Sequence, residues 1–142
     1  LIQSAIDEGA KLVTGGPDLP SNVNRGYYIQ PTVFSNVTPD MRIAKEEIFG
    51  PVVTLIAYDS LDQAIDMAND TEYGLSAAIS GDPAKAAPVA AQLRAGMVAI
   101  NNWGPTPGAP FGGYKQSGNG REGGLAGLKD FMEMKAISGL PA

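Results

Sequence analysis

Apolar residues at helical spacing open the chain. Leu1, Ile2, Ala5 and Ile6 fall on one face, and Gly9 stands where a left-handed residue closes a helix. Lys11–Thr14 reads as a short strand stopped by Gly15-Gly16, and the polar stretch from Pro17 to Arg25 as a surface loop. Tyr27–Phe34 has strand composition. Pro31 within it lacks a ladder donor, which places it at an edge or bulge. Thr38-Pro39 predicts the cap and first position of a short helix through about Ala44.

From Val52 the pattern becomes regular. Val52–Tyr58 is nearly continuously apolar, as in a strand buried on both faces. Ser60 and Gln63 form a capping box, with Leu61, Ala64, Ile65 and Ala68 as the apolar stripe of the helix that follows. Leu75–Ser80 is the next strand, after Gly74. Asp82-Pro83 opens a second helix that Gly96 ends, and Met97–Asn101 is a further strand. Pro88 conflicts with that second helix, since an interior proline removes a hydrogen bond at a cost of roughly 3 kcal/mol. Strand–helix–strand–helix–strand with short connections predicts an α/β fold, with helices flanking a mostly parallel sheet. Gly124–Asp130 is a last helix with Leu125 and Leu128 inward. Phe131–Ile137 alternates Met132, Met134 and Ala136 against Glu133 and Lys135, the pattern of an edge strand.

Composition narrows the function. The 142 residues suffice for one domain with a real core. A net charge of −5 without a Lys/Arg cluster argues against a nucleic-acid partner. No apolar run approaches the length of about 20 residues that a membrane helix needs. The N-terminus lacks a basic region followed by an apolar one, so a cytoplasmic location is the expectation. The chain contains no Cys and no His. That removes a thiolate nucleophile, a Ser-His-Asp arrangement and the usual zinc sets, and no metal site is expected.

Candidate chemistry concentrates in Lys45-Glu46-Glu47-Ile48-Phe49-Gly50-Pro51-Val52-Val53. A carboxylate at the mouth of a strand can accept hydrogen bonds from ligand hydroxyls, a sugar above all, and Phe49 offers a flat apolar surface beside it. The competing reading is an acidic helix end before a core strand. The loop Asn102–Pro110 holds the only Trp and follows the carboxyl end of a strand, where open α/β sheets place ligands. Trp103 could equally be an aromatic plug for that loop. Gly118–Gly123 fits GxGxxG, but Tyr114-Lys115-Gln116-Ser117 precedes it in place of a strand and no βαβ unit follows. It reads as a tight turn and not as a dinucleotide fingerprint.

KEEIFGPV at Lys45–Val52 and PFGGYKQSGNGREGG at Pro110–Gly124 resemble the aldehyde dehydrogenase superfamily, in the same order and separation. The likeness runs from Gly9 to Lys135. It implies the C-terminal part of an aldehyde dehydrogenase-like catalytic domain, with residues 131–138 as an oligomerisation strand. It implies NAD or NADP as cofactor, an aldehyde as substrate and carboxylic acid as product. By the same resemblance Glu47 binds hydroxyls of the nicotinamide ribose and Phe49 packs beside that end of the cofactor. Phe111 contacts the aldehyde, and the loop with Trp103 lines its tunnel. The family's Cys nucleophile, Glu general base and Gly-rich nucleotide-binding domain lie upstream of the matched region. The chain is therefore expected to hold no catalytic residue, to be inactive alone, to need the N-terminal part of its own polypeptide and to form a homo-oligomer. Hydrolytic and CoA-acylating members are both compatible with the motifs. The alternatives are a truncated, non-catalytic assembly or binding module and a free-standing small-ligand domain.

Overall fold

The computed structural model describes every residue except Asn102, Trp103, Pro105 and 140–142. It is an α/β fold that divides into two compact units, Leu1–Gln63 and Ala64–Ala142.

In the first unit, α1 (Ile2–Asp7) leads to β1 (Lys11–Thr14), β2 (Thr32–Ser35), α2 (Arg42–Lys45) and β3 (Val52–Thr54). Gly9 takes φ +95°, and the Ala10 N–H donates back to Ala5 O at 2.9 Å, so glycine ends α1 as expected. The strands stand in the order β1-β2-β3, with β1–β2 antiparallel and β2–β3 parallel. Phe34 in β2 is fully buried, in a core with Ile2, Ala5, Ala10, Val37 and Ile43. Thr32 is the buried polar residue among those described. Its hydroxyl accepts from the Gly16 N–H at 3.0 Å and donates to Gln30 O at 2.8 Å, so burial leaves it satisfied.

Three expectations change in this unit. β2 begins only after Pro31, and the register irregularity lies in β1, between Leu12 and Thr14. α2 begins at Arg42 and not at Pro39. Thr38 forms a turn with Met41, and the Arg42 N–H finds its cap in the Glu8 carboxylate at 2.8 Å, far away in sequence. β3 is three residues long and covered on one side only, because Val53 is 55% exposed while Val52 packs on the core.

α3 (Leu61–Asn69) leads into the second unit, followed by β4 (Ser76–Ile79), α4 (Pro83–Ala90), β5 (Met97–Ile100), a 3-10 turn at Lys115–Ser117 and α5 (Gly124–Asp130). The capping box is present with a shifted return. Ser60 Oγ accepts from the Gln63 N–H at 3.2 Å, while Gln63 Oε1 reaches back to the Asp59 N–H at 2.6 Å. β4 and β5 pair in parallel as a two-stranded sheet, and β3 pairs with β2 instead of joining them. Asp82 caps α4 through the Ala84 N–H at 2.9 Å, with Pro83 in the first turn and Pro88 inside. α4 stops at Ala90. Gly96 instead directly precedes β5, its N–H donating to Gly74 O at 2.9 Å. Asn101, at φ +55°, closes the carboxyl ends of the pair: its Oδ1 accepts from the Gly81 N–H at 2.8 Å and its Nδ2 donates to Gly81 O at 2.9 Å.

α5 has the expected bounds but the opposite face inward. Gly127 is buried and Leu125 and Leu128 are exposed. A Cβ at Gly127 would lie 2.8 Å from the Glu122 carbonyl carbon, so the helix docks by its smallest residue. After Asp130 the described residues form no strand, and Phe131, Met132, Met134 and Ile137 are all exposed. Among the described residues no helix is long and apolar enough to cross a membrane.

Candidate functional site

The loop after α2 separates two adjacent carboxylates. Arg42 and Glu46, one helical turn apart, form a bidentate pair with Nε–Oε1 at 2.7 Å and Nη2–Oε2 at 3.0 Å. The hydrogen bond and charge of Arg42 hold the Glu46 carboxyl below the usual carboxylate range, and the same pairing raises the guanidinium. Glu47 leaves the helix. It is exposed and has no partner among the described residues. Ile48 packs on the core, and Phe49 then takes φ +56°. That left-handed turn sends the next side chain the other way, so the Phe49 ring is 90% exposed. Pro51 O accepts from the Thr32 N–H at 2.9 Å and fixes the far end of the loop to β2. A bound carboxylate, a free carboxylate and an uncovered ring thus lie within four residues on a loop anchored at both ends.

A left-handed φ at a bulky residue is costly, of order 1–3 kcal/mol, and such outliers gather at ligand sites. An acceptor carboxylate beside a flat apolar ring could serve a ligand that carries hydroxyls. A carboxylate can accept from two vicinal hydroxyls, and the ring can lie against a planar heterocycle.

The second candidate region lies in the second unit. Phe111 forms an isolated antiparallel bridge with Glu122, each N–H donating to the other's carbonyl at 2.8 Å. Its ring is half exposed. Arg121 Nη1 donates to the carbonyls of Gly113, Asn119 and Gly120, and the guanidinium lies 5.6 Å from the Tyr114 ring centre. The glycines of the GxGxxG stretch therefore serve a turn wrapped round Arg121. Trp103 lies outside the described residues.

Lys115 went unmarked in the sequence reading. Its Nζ donates to Asn69 O at 2.7 Å and Thr71 O at 2.8 Å, and its backbone has φ +54°. No local spacing could have found it, because both acceptors lie more than forty positions away.

The aldehyde dehydrogenase family model matches residues 1–137. The chain belongs to the aldehyde dehydrogenase family. A curated relative from Staphylococcus haemolyticus, provisionally named an aldehyde dehydrogenase, is 51% identical over 139 residues, covering 97% of this chain and 29% of its own length. The chain thus spans less than a third of the relatives it matches. A solved aldehyde dehydrogenase from Bartonella henselae superposes with a TM-score of 0.91 at 56% identity, over 96% of this chain and 29% of the other. A variant of aldehyde dehydrogenase C from Pseudomonas syringae, solved with NAD+ and octanal, gives 0.90 at 54% identity, over 96% and 28%.

Proposed function

We propose that these 142 residues are the C-terminal part of the catalytic domain of an NAD-dependent aldehyde dehydrogenase, which oxidises an aldehyde to a carboxylic acid. The reading is carried by the uncovered Glu47 carboxylate and Phe49 ring, two residues apart on an anchored loop of a family member. The solved relative that binds NAD+ together with octanal supports both the cofactor and the substrate class.

NAD supplies the hydride acceptor when bound. Glu47 would accept hydrogen bonds from the two ribose hydroxyls, and Phe49 would present its ring to the nicotinamide end. Together they limit the rotation of that end, so that its reactive face meets the substrate. Phe111 would face the aldehyde and exclude water from it. The chain has no thiol, so the attacking Cys thiolate comes from outside these residues, and the family resemblance puts it, with the general-base Glu, in the N-terminal part of the same polypeptide.

The test is Glu47→Gln in the full-length polypeptide. Charge-assisted hydrogen bonds are worth about 1.5–3 kcal/mol, so hydride transfer in a single turnover slows by about tenfold or more. Binding of NAD weakens less, since most of the cofactor lies elsewhere. An unchanged single-turnover rate returns Glu47 to the acidic end of α2. Titration with NADP beside NAD measures the preference between them.

A further inference from the structure

Lys115 joins a costly backbone to a well-seated side chain. A non-glycine residue at φ +54° is strained, and strain of this kind persists where its surroundings over-determine it. The surroundings here are the end of α3. Asn69 is the last residue of that helix, and the part-buried ammonium sits on the carbonyls of Asn69 and Thr71, where a cation is favoured by the helix dipole. The flanking residues follow. The Tyr114 N–H donates to Gly74 O at 2.8 Å, the Gln116 N–H donates to Glu72 O at 3.0 Å, and Ser117 Oγ accepts from the Gly74 N–H at 3.0 Å.

Gly112, Gly113 and Tyr114 are all that separate Lys115 from Phe111, and both glycines are buried. A Cβ on Gly112 would run into Gly120 O, and one on Gly113 would lie 2.6 Å from Ser117 Cβ. The Gly112 carbonyl in turn lies where a Cβ on Gly96 would stand. The segment has no slack on either side. A shift of Lys115 would therefore have little room to be absorbed before Phe111 and its bridge with Glu122.

We propose that Lys115 is a positioning residue for Phe111: its ammonium fixes the place of the Phe111–Glu122 bridge and thereby the bulk of aldehyde tail that fits past the ring. This rests on the reading of Phe111 as substrate-facing.

The experiment uses Lys115→Met in the full-length polypeptide, which keeps the apolar stem and removes the donors. Amide hydrogen exchange reads the clamp without any substrate. Exchange at the Phe111 and Glu122 amides quickens by about tenfold, the size expected when bonds from a charged donor are lost. Steady-state kinetics read the consequence. KM for a long aliphatic aldehyde rises in Lys115→Met and in Phe111→Ala alike, and the double variant is no worse than Phe111→Ala. Exchange unchanged at both amides overturns the clamp. Quickened exchange with KM unaltered in both variants overturns the substrate-facing role of Phe111 and, with it, the selectivity assigned to Lys115, while the clamp itself stands. Lys85→Met, an exposed lysine elsewhere, controls for loss of charge. If Lys115→Met does not fold, Lys115→Gln, which shortens the side chain and removes its charge, is read by the same two measurements.

Discussion

Glu46 and Glu47 are neighbours in sequence with opposite situations, and the difference predicts opposite phenotypes. Glu46 is committed to Arg42, and its folded pKa is depressed by that hydrogen bond and charge. A carboxyl whose folded pKa lies below its unfolded one stabilises the fold above the unfolded value, and that contribution disappears as pH falls through the folded value. Glu46→Gln is therefore expected to lower the melting temperature slightly at neutral pH, with the gap from the parent closing in acid. High salt should also shrink it, since the pair is exposed. Thermal unfolding across a pH series checks this, and a gap that persists below the carboxylate range removes the pair from the account. Catalysis is expected to survive Glu46→Gln and to suffer in Glu47→Gln, because only the second carboxylate is free to meet a ligand. A ligand role for Glu47 and Phe49 is the proposal that Glu47→Gln tests, but the residue type and order of KEEIFG were legible from the chain. The left-handed φ that turns Phe49 outward was not, because it arises from Ile48 being held in the core and Pro51 being bound by β2.

At the scale of elements, what could be read in advance was what is chemically local. Gly9 after α1 and Asp82-Pro83 before α4 each act within a few residues of themselves, so the chain announces them. The start of α2 was misplaced because its cap comes from Glu8, and the inward face of α5 was misjudged because docking uses Gly127 and not the leucines. The extent of β3 was overestimated because an apolar run shows what could be buried and not what is covered. The local caps make a direct prediction. Asp82→Ala leaves the Ala84 N–H without its acceptor and should cost about 1 kcal/mol of stability. Denaturant unfolding checks it, with Asp82→Ser expected to recover most of the loss. A cost as large for Asp82→Ser as for Asp82→Ala would show that the residue acts through its charge elsewhere.

For the whole molecule, two expectations follow. The 142-residue chain alone is expected to produce no NADH from an aldehyde and NAD, since it contains no Cys to attack the carbonyl. Turnover above the blank by the pure chain would overturn the assignment of the nucleophile to another part of the polypeptide. The second concerns the segment from Phe131 to Ile137, which is exposed and joins neither sheet, Met134 fully so at 101%. As a strand added to a second subunit it would cover that surface, and Met134→Pro would remove a ladder donor. Light scattering on the full-length variant is expected to show weaker association while circular dichroism remains that of a folded subunit. An unaltered mass would count against a strand exchanged between subunits. The sheet order carries one more consequence. Among the described residues only β2 has a strand on both sides, so β1, β3, β4 and β5 each leave one rim of amides and carbonyls unclaimed. If the chain is produced alone, those rims are open to another copy of itself, and folding competes with that encounter. Its yield should then be set by dilution and timing more than by thermodynamic stability.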